Sequence, residues 1–135
     1  MKSNGRRVVV TGMGAVTPLG LSCEENWKNW VAGKSGIGPI SLFDASEFPV
    51  HIAGEVRGFD FEVWKNQDEG LGRAGRSSLF ALEAAREAFQ DANLQRETED
   101  PERLGLYFAA GDWGINLDGF VQTVSSAWGD DGKIV

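Results

Sequence analysis

The sequence predicts an α/β fold with strands of the parallel type and helices packed on them. Three observations carry this. Two short apolar runs, Val8-Val9-Val10-Thr11-Gly12 and Leu104 to Ala110, each lead into glycine. Helical patterns lie between them in the order strand, turn, helices, strand. The first run is apolar at consecutive positions, so both faces of its pleat need cover, as in a parallel sheet.

After the first run, Gly12, Gly14, Pro18 and Gly20 mark a long glycine-rich turn. Ser22 and Glu25 stand at capping-box spacing, which predicts a helix from Cys23 to about Ala32. Gly33 closes it where a left-handed residue is needed. Residues 33–58 read as irregular, punctuated by Gly36, Gly38, Pro39 and Pro49, with a short strand over Ile52 to Val56. The strongest helix runs from Arg76 to Leu94. Leu79, Leu82, Ala85, Phe89 and Ala92 form its predicted buried face, and Glu83, Arg86, Glu87, Gln90 and Asp91 the solvated one. Asn93 is the expected stop. The second strand follows a polar loop through Pro101.

The chain has 135 residues, the length of one domain, and ordinary globular composition with 41% apolar and 24% charged residues. Its 18 glycines amount to about 13%, nearly twice the usual ~7%. With one Cys and one His, the usual Cys/His zinc site and an internal disulfide are both excluded. No cofactor is expected. The net charge of −7 argues against a general nucleic-acid surface. No apolar stretch is long enough to span a bilayer, and the expected compartment is the reducing cytoplasm.

Local motifs compete for a functional reading. A dinucleotide fingerprint would need glycine at 12, 14 and 17, but position 17 is Thr17. Gly33-Lys34-Ser35 resembles the end of a phosphate loop, but position 28 is Lys28 and the triplet follows a helix. Cys23 sits in the first turn of a capped helix, where the dipole would lower its pKa and Glu24 and Glu25 would oppose that. His51 is the only imidazole that could serve it. Asp112 stands beyond the second strand, where open α/β sheets bind ligands. Arg73 and Arg76 flank Gly75 and form a basic spot on an acidic chain.

Longer segments carry a resemblance. Residues 6–20, Arg6 through Gly20, resemble the opening strand and turn of type II elongating β-ketoacyl-acyl-carrier-protein synthases. The likeness continues through Glu24-Glu25-Asn26-Trp27, Ala32 to Ile37, Phe43 to Val50 and Ile52-Ala53-Gly54-Glu55-Val56, and returns in the helix Ala81 to Leu94 and in Arg103-Leu104-Gly105. It is most specific over residues 6–56.

The resemblance implies the N-terminal part of a thiolase-like fold, an incomplete core half, with 1–135 as a partial domain. It implies an acyltransferase working as a homodimer, or as a heterodimer with another condensing-enzyme subunit. Such an enzyme condenses an acyl thioester with malonyl on acyl carrier protein, in fatty-acid or polyketide synthesis. The family's nucleophilic cysteine and two histidines lie beyond the part matched, so no catalytic residue is expected in this chain. Cys23 and His51 fall at variable positions. Asp112 takes a position lining the acyl channel, and Trp113 replaces a glycine. A carboxylate there is costly against an acyl chain, which argues against a plain long-chain channel. Arg73 falls in the patch that docks the acidic carrier, with Arg76 nearby. The isolated chain is expected to be inactive. A non-catalytic subunit akin to chain-length factors, or one fragment of a complementing pair, is the alternative.

Overall fold

A computed structural model describes residues 7–67, 71, 74–95, 100–109, 121–122 and 125. Helix α1 spans Cys23–Val31, and a hairpin is formed by β1 (Ile37–Pro39) and β2 (Ile52–Gly54). Helices α2 (Phe61–Lys65) and α3 (Arg76–Asp91) follow, then a 3-10 turn over Pro101–Arg103. None of these helices is long and apolar enough to cross a membrane.

The helix boundaries follow the capping chemistry read from the sequence. The Ser22 hydroxyl accepts from the Glu25 amide at 3.2 Å, and the Glu25 carboxylate accepts from the Leu21 amide at 2.8 Å. The second bond falls one residue earlier than in the usual reciprocal box. Both long helices close in the Schellman pattern. At α1, Gly33 N–H donates to Trp30 C=O and Lys34 N–H to Asn29 C=O. At α3, Asn93 and Leu94 donate to Gln90 and Phe89. Gly33 and Asn93 are accordingly left-handed, with φ of 67° and 52°.

The hairpin is antiparallel, with Gly38 opposite Ala53 and Pro39 opposite Ile52. Of its two strands, β2 matches the strand expected over Ile52 to Val56, while β1 falls in a stretch read as irregular. Pro39 hid it, because proline signals a break and is tolerated in a strand only where its missing N–H is not needed. Helix α2 was also unread. Asp60 starts it by accepting from the Glu62 and Val63 amides, and its five residues are too few to show periodicity.

The core lies between α2 and α3. Leu79 is fully buried and Trp64 nearly so. The Trp64 indole N–H donates to Glu83 at 3.1 Å. Beside them Phe59, Phe61 and Phe80 form an aromatic cluster with centroids 4.8 to 5.8 Å apart.

Two expectations need correction. Residues 8–12 and 104–109 form no strand, and the only ladder among the described residues is the antiparallel hairpin. The parallel-type pairing is therefore not seen. Val8 is 94% exposed and Tyr107 97%, and Val9, Val10, Leu106 and Phe108 are exposed as well. β-branched composition favours extended backbone, but a strand exists only through its neighbours' hydrogen bonds and side-chain cover. Helix α3 is also turned relative to its predicted face. Leu82, Ala85 and Phe89 are exposed, while Glu83, Ala84, Glu87 and Ala88 are half-buried. The glycine-rich turn packs along the small side of the helix, and that contact decides the rotation.

Candidate functional site

The glycine-rich turn is the place where α1, α3 and the hairpin meet. Gly12 and Gly14 lie against Ala84, Ala88 and Ala92 of α3. A Cβ on Gly12 would sit 2.5 Å from Ala92 N. A Cβ on Gly14 would sit 2.8 Å from Ala84 C and Ala88 N, and closer still to Ala84 C=O. These are backbone atoms of a helix, which leave room only for hydrogen. Farther along, Pro18 packs under the hairpin against Gly36 and Gly54, where added Cβ atoms would come within 2.9 and 3.0 Å of it.

Two carboxylates of α3 hold the turn. The Asp91 carboxylate accepts from Met13 N–H at 2.9 Å. Glu87 accepts from Ala15 N–H at 2.9 Å with one oxygen and from Cys23 N–H at 2.8 Å with the other. The second bond puts negative charge on the N-terminus of α1, where the helix dipole favours it. The rest of the turn closes on side-chain amides. Thr17 and Gly20 exchange backbone hydrogen bonds, and the Thr17 hydroxyl contacts Asn26 Oδ1. Asn26 Nδ2 donates to Gly20 C=O and Ser22 C=O, and Asn29 Nδ2 to Leu19 C=O. Helix α1 thus presents its two asparagines inward. Trp27 and Trp30 are exposed, packed edge to face with centroids 6.1 Å apart.

This geometry bears on each sequence-derived candidate. The turn amides that a dinucleotide phosphate would need at residues 13, 15 and 23 are already taken by Glu87 and Asp91, whose charge would repel it. Gly33-Lys34-Ser35 lies at the C-terminal end of α1, the wrong pole for an anion. Cys23 is half-buried, and its thiol is pushed up by burial first, then by the charges of Glu87 and Asp91 and a hydrogen bond to Glu87. The helix dipole is outweighed, and Cys23 is not an activated nucleophile. The exposed His51 engages Ala45 C=O at 3.0 Å through Nδ1, so the two residues do not form a pair. Arg76 is exposed, with its guanidinium 4.4 Å from the Phe61 ring centroid and 5.5 Å from that of Phe80. Arg73, Asp112 and Trp113 lie outside the described residues.

Glu55 was not singled out by the sequence. It is the one buried charged residue among those described. Its carboxylate accepts from Ser41 N–H at 2.8 Å, Ser41 Oγ–H at 2.6 Å and Leu42 N–H at 3.1 Å, with Arg57 at 3.3 Å. The Ser41 hydroxyl and amide are the main causes that lower its pKa to about 2. The segment Ile52 to Val56 gave no sign of this, because the partners lie 13 and 14 residues upstream. Among the described residues no cluster of side chains is arranged to hold a metal ion.

Comparison with known proteins supplies what the geometry leaves open. The model of the β-ketoacyl synthase N-terminal domain matches residues 5–127. The 3-oxoacyl-acyl-carrier-protein synthase 2 of Coxiella burnetii is 40% identical over 110 residues, 82% of this chain and 26% of the relative. That of Staphylococcus aureus strain COL is 36% identical over 113 residues, 84% of this chain and 27% of the relative. Among solved structures, the ishigamide ketosynthase/chain length factor superposes with a TM-score of 0.57 at 35% identity, covering 68% of this chain and 23% of the other. The chain spans about a quarter of the length of the curated relatives it matches.

Proposed function

Because the chain belongs to the β-ketoacyl synthase family, through that family's N-terminal domain, we propose that it is the N-terminal segment of a condensing enzyme of fatty-acid or polyketide synthesis. The match over residues 5–127 carries this reading. In the reaction of the complete fold, a cysteine thiolate takes the acyl group from its carrier thioester and releases the carrier thiol. Malonyl on acyl carrier protein then loses CO2, and the resulting carbanion attacks the acyl carbonyl. The cysteine leaves, giving the β-ketoacyl carrier and free enzyme.

Residues 1–135 contribute a partial N-terminal domain to this scheme and none of the reacting groups. Neither Cys23 nor His51 has surroundings suited to the chemistry. By their place in the resemblance, Asp112 and Trp113 contribute to the acyl channel. Arg73 and Arg76 contribute to docking of the acidic carrier, an assignment supported at Arg76 by an exposed guanidinium held on aromatic rings. The working unit is a dimer of condensing-enzyme subunits.

The test is direct. Purified chain supplied with acyl carrier thioester and malonyl carrier gives no elongation product, and measurable elongation overturns the assignment of chemistry elsewhere. A second reading, a non-catalytic subunit that shapes a partner's channel, is favoured by the similarity to a ketosynthase/chain length factor structure. It requires a stable complex with a separate polypeptide that bears the nucleophile.

A further inference from the structure

The hairpin of β1 and β2 has two outer edges, and the fold treats them differently. Ile40 N–H donates to His51 C=O at 2.9 Å. Bonded pairs alternate along an antiparallel ladder. Gly38 and Ala53, the next pair in that phase, therefore bond each other. Ile37 and Pro39 turn their backbone groups outward from β1, and Ile52 and Gly54 turn theirs outward from β2.

The β1 edge is shut. Ile37 N–H donates to Ser35 Oγ at 3.1 Å, and Ile37 C=O accepts from that hydroxyl at 3.4 Å. Pro39 has no N–H to offer, and its C=O accepts from Arg57 Nη2 at 3.2 Å. The β2 edge is open. Ile52 and Gly54 are both exposed, and the groups they turn outward have no partner among the described residues. An open strand edge is a template for a further strand.

The spacing of the open groups says which strand fits. Two antiparallel copies of β2 pair about a two-fold axis through Ala53. Ile52 then faces Gly54 of the second copy, and Gly54 faces its Ile52. Each of these pairs exchanges both bonds, so every outward N–H and C=O of the two edges is used. No other register pairs both open residues with open residues. The side chains agree with it. Each Ile52 has a glycine opposite. The two Ala53 residues meet at the axis, where Cα atoms approach to about 4.5 Å and small side chains are needed. Continued outward, the register sets Val50 against Val56, His51 against Glu55 and Pro49 against Arg57. No like charges stand opposite each other.

We propose that the open β2 edge is a self-recognition surface, which pairs with β2 of a second copy of this chain to give a four-stranded antiparallel sheet. The proposal does not rest on the condensing-enzyme reading. The contact is small beside a standard one of about 800 Å² per partner, so the dimer forms only as concentration rises.

The whole chain, residues 1–135, is followed by sedimentation velocity and amide hydrogen exchange over a concentration series. The expected result is a monomer that becomes a dimer. Exchange at Ile52 and Gly54 slows in step with the monomer fraction that remains. A mixture of labelled and unlabelled chain gives nuclear Overhauser contacts between Ile52 and Gly54 of different copies. Ile52→Pro removes one donor from each of the two pairs and abolishes the dimer. That N–H lies outside the ladder with β1, so the Gly38 and Ala53 amides stay protected in the variant. Ile52→Val keeps the dimer.

A chain that stays monomeric throughout the series overturns the proposal. So does protection of Ile52 and Gly54 that is independent of concentration, which would place their cover within the chain. A dimer that lacks the contact between Ile52 and Gly54, or that survives Ile52→Pro, is built on another surface and overturns it too. The labelled contact is read on the unaltered chain, so it decides the matter even where the variant loses its hairpin.

Discussion

Gly14→Ala is the sharpest perturbation of the turn on α3. The new Cβ would lie 2.8 Å from two backbone atoms of the helix and closer to a third, where carbon contacts prefer about 3.5–4.0 Å. No side chain can move aside, so turn and helix must part by roughly 1 Å. The amide–carboxylate bonds at 2.9, 2.9 and 2.8 Å then stretch to about 3.9 Å, beyond hydrogen-bond range. Bonds to charged acceptors contribute about 1.5–3 kcal/mol each, and partial exposure reduces these to nearer 1 kcal/mol. Alanine's smaller unfolded-state entropy offsets up to about 1 kcal/mol. The net loss is about 2–3 kcal/mol, or roughly 30-fold to 150-fold in the local opening equilibrium. Hydrogen exchange at the amides of Met13, Ala15 and Cys23 reads this as faster exchange by the same factor. Gly38→Ala is the control, since its Cβ meets only the flexible end of Arg57 at 3.7 Å. Gly14→Ala exchanging within threefold of the parent would refute the close-approach reasoning.

Two other outcomes follow from the carboxylates. Glu55 is held below its ordinary value of 4.5, at about 2. Its contribution is therefore complete above pH 4.5 and is lost as pH falls from there toward 2. The Ser41 and Leu42 amide resonances should titrate with a midpoint near 2, and a midpoint at 4.5 would show that the hydrogen bonds are not made. The raised pKa of Cys23 predicts slower alkylation by iodoacetamide than for a small free thiol at pH 8. Glu87→Gln speeds it a few-fold, since it removes one charge but not the burial. A rate equal to that of the free thiol would mean that the thiol is not shielded.

The parts of the fold governed by neighbours in sequence were legible. Ser22, Gly33 and Asn93 set helix ends through bonds that span only a few residues, and each end is found where those residues stand. The parts governed by distant partners were not. The valines at 8–10 read as a strand but form none, since the ladder they would need is not among the described residues. The periodicity of α3 picked out Leu82 and Phe89 as buried, yet the contact actually made is between glycines and alanines, which carry little weight in an apolar pattern. Glu87 and Asp91 looked like solvent residues because a carboxylate serving backbone amides 64 to 78 positions upstream leaves no local trace. Glu55 escaped notice for the same reason. At the candidate site, the sequence offered only Cys23 and His51 for nucleophilic chemistry, and in the structure the one lies beside Glu87 and the other on the Ala45 carbonyl.

The long reach of Glu87 and Asp91 also fixes an order of events during synthesis. The turn over residues 12–20 leaves the ribosome early, but its acceptors are not made until more than sixty residues later. Until α3 emerges, the amides of Met13, Ala15 and Cys23 can bond only to water, and the apolar run before them has no anchored neighbour. At translation rates of about 5–20 residues per second, that interval lasts roughly 4 to 15 seconds. Ser22 can nucleate α1 during this wait, but α1 cannot be seated. The C-terminal half of α3 is therefore the clasp that ends the period in which the turn amides of the nascent chain have only water to bond.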